Sequence, residues 1–377
     1  MPVLRIGILG CGSIAGAYLR NAPLFRGVKI TACADIDPAA AGRRAGEFGL
    51  RCLAPDALIA DADIDLVLNL TVPAAHFDVS MRALLAGKHV FTEKPLAITA
   101  EAGRRLVQTA RERDLAIGSA PDTFLGAAGQ MAREIIDAGR IGTPVIGTAF
   151  MMGRGMEHWH PSPEFYYQPG AGPVLDMGPY YVTMLVNLLG PVQSVQSLST
   201  SGQRERLISA AGPKQGTRFP VGTPTSALAL LQFAGGAIVT FGASWDVYRH
   251  SNQPIELHGT EGSLRLPDPD NFGGIIGMSQ GGAPWVEMDT AAQTFGAANW
   301  PVEAPDRANY RMLGVADLAK SLTEGRVPRA SGELALHVLE VMEAILQASE
   351  TVAARSISSS VPKPRVLAPE DARRLLV

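Results

Sequence analysis

The stretch LRIGILGCGSIA, residues 4–15, constrains the fold more than any other part of the chain. An apolar run of strand length ends in Gly10-Cys11-Gly12-Ser13-Ile14-Ala15, and a helical segment, AGAYLRNAPLF, follows. In the spacing G-x-G-x-x-A, the first glycine permits a tight turn and the second lets a pyrophosphate approach the backbone at a helix amino terminus. The small third residue allows close packing of helix on strand. The next strand, VKITACAD, closes on Asp35 at roughly the 20-residue separation of a ribose contact. DIDLVLNL closes near Asn69, and HVFTE ends on Glu93 and Lys94. Short apolar strands separated by helix-length segments predict a parallel sheet with right-handed crossovers. Its polar residues fall at the carboxyl ends of strands, where open α/β sheets bind ligands.

This is the pattern of a Rossmann domain holding a dinucleotide through Gly10, Gly12, Ser13 and Ile14. The Asp35 carboxylate accepts ribose hydroxyls and repels a 2'-phosphate, while Ile36 offers no positive charge, so NAD is expected over NADP. Arg43 and Arg44 are the only nearby counterweight, and they read as solvated helix positions. Cys11 lies between the glycines, where a helix terminus lowers a thiol pKa; a small side chain that suits the turn is the simpler reading.

After about residue 125 the pattern changes. GQMAREIIDAGRIG reads as a helix stopped by glycine, then VIGTAFMMG, VQSVQSLS and IELHGTEGSLRL read as strands of an antiparallel sheet. Residues 219–245 contain no charged side chain, but prolines and the central Gly235-Gly236 divide them into two strand-length pieces, a hairpin and not a membrane span. Both faces of that hairpin are apolar or small: Ala237, Val239, Phe241, Ala243 and Trp245 on one, Ile238, Thr240, Gly242 and Ser244 on the other. If helices cover one face, a second subunit covers the other, so a homodimer or homotetramer is expected. Helices return at RMLGVADLAKSLTEG and ELALHVLEVMEAILQASE, the latter with an apolar stripe of Leu334, Val338, Val341, Met342 and Ile345. The expected division is a cofactor domain at 1–124 and a substrate-binding and oligomerisation α/β domain at 125–377.

A chain of 377 residues, 46% hydrophobic and 18% charged with a formal charge of -3, has ample core and no basic field to gather nucleic acid or anionic lipid. Three cysteines without metal spacing form no disulfide framework, and MPVLRIGILG shows no export leader, so a reducing cytoplasm is expected.

The run KHVFTEKPL, residues 88–96, sets a glutamate, a lysine and a proline just past a buried strand. Together with GCGSIA, IIDAGRIG and GAGPVLDMGPYYVTMLVNLLG, it resembles the Gfo/Idh/MocA oxidoreductases over essentially the whole chain. The resemblance implies a Rossmann domain followed by a domain with a large, open, mainly antiparallel sheet. It also implies NAD-dependent, reversible oxidation of a hydroxyl on a sugar, glycoside or cyclitol. The family lysine beside nicotinamide and substrate corresponds to Lys94, which exchanges the hydroxyl proton as hydride leaves. Glu93 then orients Lys94 or binds cofactor, and Pro95 fixes the turn, with either a trans or a cis peptide bond open to it. The family acid and histidine four residues apart correspond to Asp176 and Tyr180, so the histidine is replaced. Asp176 also reads as a helix N-cap, because Pro179 follows closely. In NLTVPAAH the relatives' threonine-proline-asparagine run is altered: Val72 and Pro73 take the last two places, while Thr71 and His76 match as cofactor contacts.

Between the halves, residues 154–172 carry Trp159, His160, Phe165, Tyr166 and Tyr167 in a proline-broken loop. Aromatic faces stack on sugar C–H faces and imidazole bonds hydroxyls, so Trp159 and His160 are candidate substrate contacts; a subunit contact is the competing reading. His158-x-His160 lacks clustered carboxylates, and no metal is expected. A non-catalytic NAD-binding regulator of the same fold is the alternative function. Glu93-Lys94-Pro95 and Asp176 argue for the enzyme, and Tyr180 for the alternative.

Overall fold

The structure is a computed structural model that describes residues 3–299 and 307–377. The first sheet has six parallel strands in the spatial order Arg51–Cys52, Val28–Ala34, Leu4–Leu9, Leu66–Asn69, His89–Thr92, Ile117–Ser119. Its central strands are buried on both sides, which is why they read as unbroken apolar runs. Strand order reverses between Leu4–Leu9 and Leu66–Asn69, and the crevice at that switch point opens over the glycine loop. Gly10 has φ +101°, and a Cβ there would lie 2.5 Å from the carbonyl carbon and oxygen of Leu70, so only glycine fits.

The second sheet has nine strands in the order Val286–Asp289, Ile275–Gln280, Gly262–Leu266, Ile255–Gly259, Pro144–Met152, Ile238–Ser244, Ser226–Phe233, Val192–Thr200, Arg355–Ser356. Every pair is antiparallel except Pro144–Met152 with Ile238–Ser244. The uncharged segment contributes the expected hairpin, with Ala227 opposite Ala243 and Leu231 opposite Val239. Helices Pro173–Leu189 and Gly332–Thr351 cover one face and bury Val239, Phe241 and Ala243, while Trp245 is buried against Tyr166 and Tyr167. The other face presents Ile146, Leu198, Leu228, Leu230 and Ile238, all exposed in this single chain.

Two elements return to the first sheet from the far end of the chain. Helix Leu313–Glu324 packs against Val28–Ala34 and Ile117–Ser119, and Pro369–Leu375 packs on that helix. Arg26 and Val377 donate backbone N–H bonds to Leu375 and Leu24, stitching the carboxyl terminus to the amino-terminal unit. Among the described residues, no helix is long and apolar enough to cross a membrane.

Candidate functional site

The strand His89–Thr92 delivers Glu93 and Lys94 to the crevice, and the Lys94–Pro95 peptide is cis. Glu93 is buried and holds the turn by two bonds. Its Oε2 accepts the Lys94 backbone N–H at 3.0 Å, and its Oε1 accepts the Tyr18 hydroxyl, from the helix that follows the glycine loop, at 2.8 Å. Lys94 Nζ donates to the Asp176 carbonyl oxygen at 2.7 Å and to its Oδ1 at 2.8 Å. Burial pulls the Lys94 ammonium down, but Asp176, Tyr180 and Glu93 outweigh it and hold its pKa above the ordinary lysine value.

Helix Pro173–Leu189 starts after Gly172, which has φ +96°. It therefore begins four residues earlier than an Asp176 N-cap requires, and Asp176 lies in the first turn, where the helix dipole favours a carboxylate. Tyr180 follows one turn later on the same face, its ring centroid 5.3 Å from Lys94 Nζ. Its hydroxyl accepts a long 3.3 Å contact from Arg311, whose Nη2 also donates to Asp270 at 2.6 Å. Burial pushes the Tyr180 phenol well above its ordinary pKa, and Asp270 adds to the shift.

The cofactor crevice fits NAD. A Cβ on Gly12 would meet nothing within 4 Å, so the space above the loop is open. Helix Ser13–Asn21 has neither a side-chain cap nor an acidic residue in its first turn, which leaves its N–H groups and positive end for a pyrophosphate. Asp35 Oδ2 accepts the Cys11 N–H at 2.7 Å and Oδ1 the Asp37 N–H at 2.9 Å, so it braces the loop and keeps lone pairs for a ribose. Ile36 is 95% exposed. Arg44 is paired with Glu47 at 2.7 Å and reaches the Gly12 carbonyl oxygen at 3.3 Å; Arg43 lies 4.0 Å from Asp37. Cys11 is buried, and Cys33 and burial raise its thiol pKa, the reverse of an activated cysteine.

Other predicted residues turn inward. Asn69 is buried and spends its amide on the His76 carbonyl oxygen, Ser80 and Thr71. Buried His76 sets one ring nitrogen 2.7 Å from the Pro95 carbonyl oxygen and the other 3.0 Å from that of Thr71, so it braces two turns. Trp159 and His160 stand back from Lys94. They stack edge-on with each other, and His160 does so with Phe165 and Tyr166, which do line the cavity beside Lys94 and Asp176. That cavity measures about 400 Å³. Behind the site, Asp122 accepts the Gly314 N–H at 2.7 Å, and burial pushes its carboxyl up to about 6. Sequence reasoning passed over Asp122, although it follows Ile117–Ser119 by the same strand-end rule that marks Asp35 and Glu93. Arg311 and Asp270 carry no such signal, since only the tertiary fold brings them to Tyr180. No group of three metal-ligating side chains occurs among the described residues.

A dinucleotide crevice that meets a part-buried lysine, held by a carboxylate from a second domain, is the build of a nicotinamide-dependent oxidoreductase. The chain belongs to the Gfo/Idh/MocA family: residues 4–120 match its NAD-binding Rossmann domain and 130–265 its C-terminal domain. It is 25% identical over 365 residues to the 1,5-anhydro-D-fructose reductase of Ensifer adhaerens, covering 95% of this chain and 99% of that protein. With the inositol 2-dehydrogenase 3 of Saccharopolyspora erythraea it shares 28% identity over 275 residues, 72% of this chain and 75% of that one. Among solved structures, levoglucosan dehydrogenase in complex with NADH and L-sorbose superposes with a TM-score of 0.81 at 21% identity, covering 95% of this chain and all of that one. The fold is thus the expected Rossmann domain and large mixed sheet, and the protein is an NAD-binding enzyme.

Proposed function

We propose that this oxidoreductase interconverts a ring hydroxyl and ketone of a sugar, glycoside or cyclitol. The observation that carries the reading is the Lys94–Asp176 pair at 2.8 Å on the wall of the 400 Å³ cavity. The relatives named above, a sugar reductase and an inositol dehydrogenase, support the substrate class. When bound, NAD supplies the hydride acceptor. Gly10, Gly12, Ser13 and Ile14 hold its pyrophosphate end and Asp35 its ribose; Ile36, Asn69, Thr71, His76 and Glu93 shape the rest of the groove. Lys94 exchanges the hydroxyl proton, Asp176 fixes its ammonium, and Tyr180 supports it from below. Trp159 and His160 back the substrate loop. Residues 1–124 serve the cofactor and 125–377 the substrate, with helices 313–324 and 369–375 closing the first unit. Incubation with NAD and a panel of sugars, cyclitols and glycosides, followed at the NADH absorbance, tests the reading. Absence of turnover by protein that binds NADH would overturn it.

The pH dependence follows from Lys94. As a proton acceptor it works only as the neutral amine, and its pKa is raised, so oxidation should accelerate with pH from 7 through about 10. Ketone reduction, which needs the ammonium, should stay level over the same range and fall only above it, as pH approaches the raised Lys94 pKa. Asp176→Asn removes the largest raising influence and should shift the rise to lower pH. An unmoved inflection in kcat against pH would exclude Lys94 as the titrating group.

The exposed sheet face supports a homodimer or homotetramer. Leu228→Asp with Leu230→Asp should convert the assembly to monomers, measured by light scattering. A monodisperse wild-type monomer at micromolar concentration would count against it.

A further inference from the structure

Beyond Lys94 and Asp176, the cavity is walled by hydrocarbon. Val72, Pro73, Ile98, Phe165 and Leu175 line it. Its other polar side chains are the Tyr166 phenol and Gln168, and the Gln168 amide is turned toward the Glu164 carbonyl oxygen at 3.4 Å. Three of the apolar side chains stay open to solvent: Val72 is 64% exposed, Ile98 48% and Phe165 52%. Large apolar groups left exposed together beside a polar pair mark a binding surface more than a chance of folding.

A hydroxyl desolvated against such a wall loses its water and gains no partner. A small ring hydroxylated on every carbon satisfies one end at Lys94 and Asp176 and leaves the rest unpaired. We infer that the preferred substrate carries an apolar, ring-sized substituent, an aryl or cycloalkyl aglycone, which lies against Val72, Ile98 and Phe165 while its hydroxylated ring meets Lys94. The inference rests on the sugar oxidoreductase reading above and narrows its substrate class.

The test compares matched pairs: methyl and phenyl β-glycosides of glucose, galactose and mannose, with NAD as acceptor and kcat/KM read at the NADH absorbance. For any sugar that reacts, the phenyl glycoside should exceed the methyl glycoside by about tenfold or more. Ile98→Asn and Phe165→Ser, changes at half-exposed positions that fold tolerates, should bring that ratio toward one. A wild-type ratio of one or less overturns the inference and leaves the sugar reading standing. Turnover of no sugar, glycoside or cyclitol refutes both, and turnover of free sugars or cyclitols but no glycoside refutes this one. If Ile98→Asn instead weakens NADH binding while the ratio is unchanged, the hydrocarbon wall belongs to the cofactor and the inference falls.

Discussion

Lys94→Ala is expected to lower kcat by about 10²–10⁴-fold, the usual contribution of a positioned proton-transfer group, while NADH affinity changes by only a few fold. The separation is expected because the Lys94 side chain is held by Asp176, from the second domain, whereas the glycine loop and Asp35 stand apart from it. Removing the ammonium also leaves the Asp176 carboxylate, with 18% side-chain exposure, without its partner. Lys94→Ala combined with Asp176→Asn therefore serves as the control for folding, followed by thermal unfolding. If the single variant loses NADH affinity and turnover in equal measure, Lys94 positions the cofactor and another group moves the proton. Single-turnover kinetics together with NADH fluorescence titration makes the distinction.

Asp35→Ser with Ile36→Arg is expected to shift the NAD:NADP preference toward NADP by at least about 10–100-fold, the value of losing a charged hydrogen bond to ribose. Serine is the better replacement than alanine because Asp35 also accepts the Cys11 and Asp37 N–H groups. An oxygen at that position preserves part of the loop bracing. Ile36 is open to solvent, so an arginine there is unhindered in meeting a 2'-phosphate. Unchanged selectivity in parallel kcat/KM measurements with the two cofactors would sink the Asp35 assignment.

The cofactor half of the site was legible in the sequence because its signals are local. A glycine that must adopt φ +101°, an acid at a strand end, and a lysine two residues past Thr92 are fixed by backbone geometry over a few residues. The long apolar runs also announced the central strands and the helix Gly332–Thr351, whose stripe from Leu334 to Ile345 is buried as expected. The substrate half was less legible. Asp176 and Tyr180 could be paired by helical spacing, but the direction of the Tyr180 hydroxyl depends on Arg311, 131 residues later. Phe165 and Tyr166, not Trp159 and His160, reach the cavity, because the single helical turn Glu164–Tyr167 decides which aromatic side chains point inward. Short strands such as Arg51–Cys52 and Arg355–Ser356 carry too few residues for any periodicity.

The stitching of the carboxyl terminus onto the amino-terminal unit bears on how the protein is made. The first sheet keeps its outer strand against Ala330 and Ser331 and lies beneath helix Leu313–Glu324, and the loop before Val28–Ala34 is tied to Leu375 and Val377. None of these partners exists until the ribosome has passed residue 313. At about 5–20 residues per second, the roughly 190 residues between Thr123 and Leu313 take on the order of 10–40 s. For that time the nascent Rossmann unit has uncovered apolar surface, and holdase chaperones have a window to act. Completion of the NAD-binding half therefore waits on residues 313–377, even though its strands leave the ribosome first.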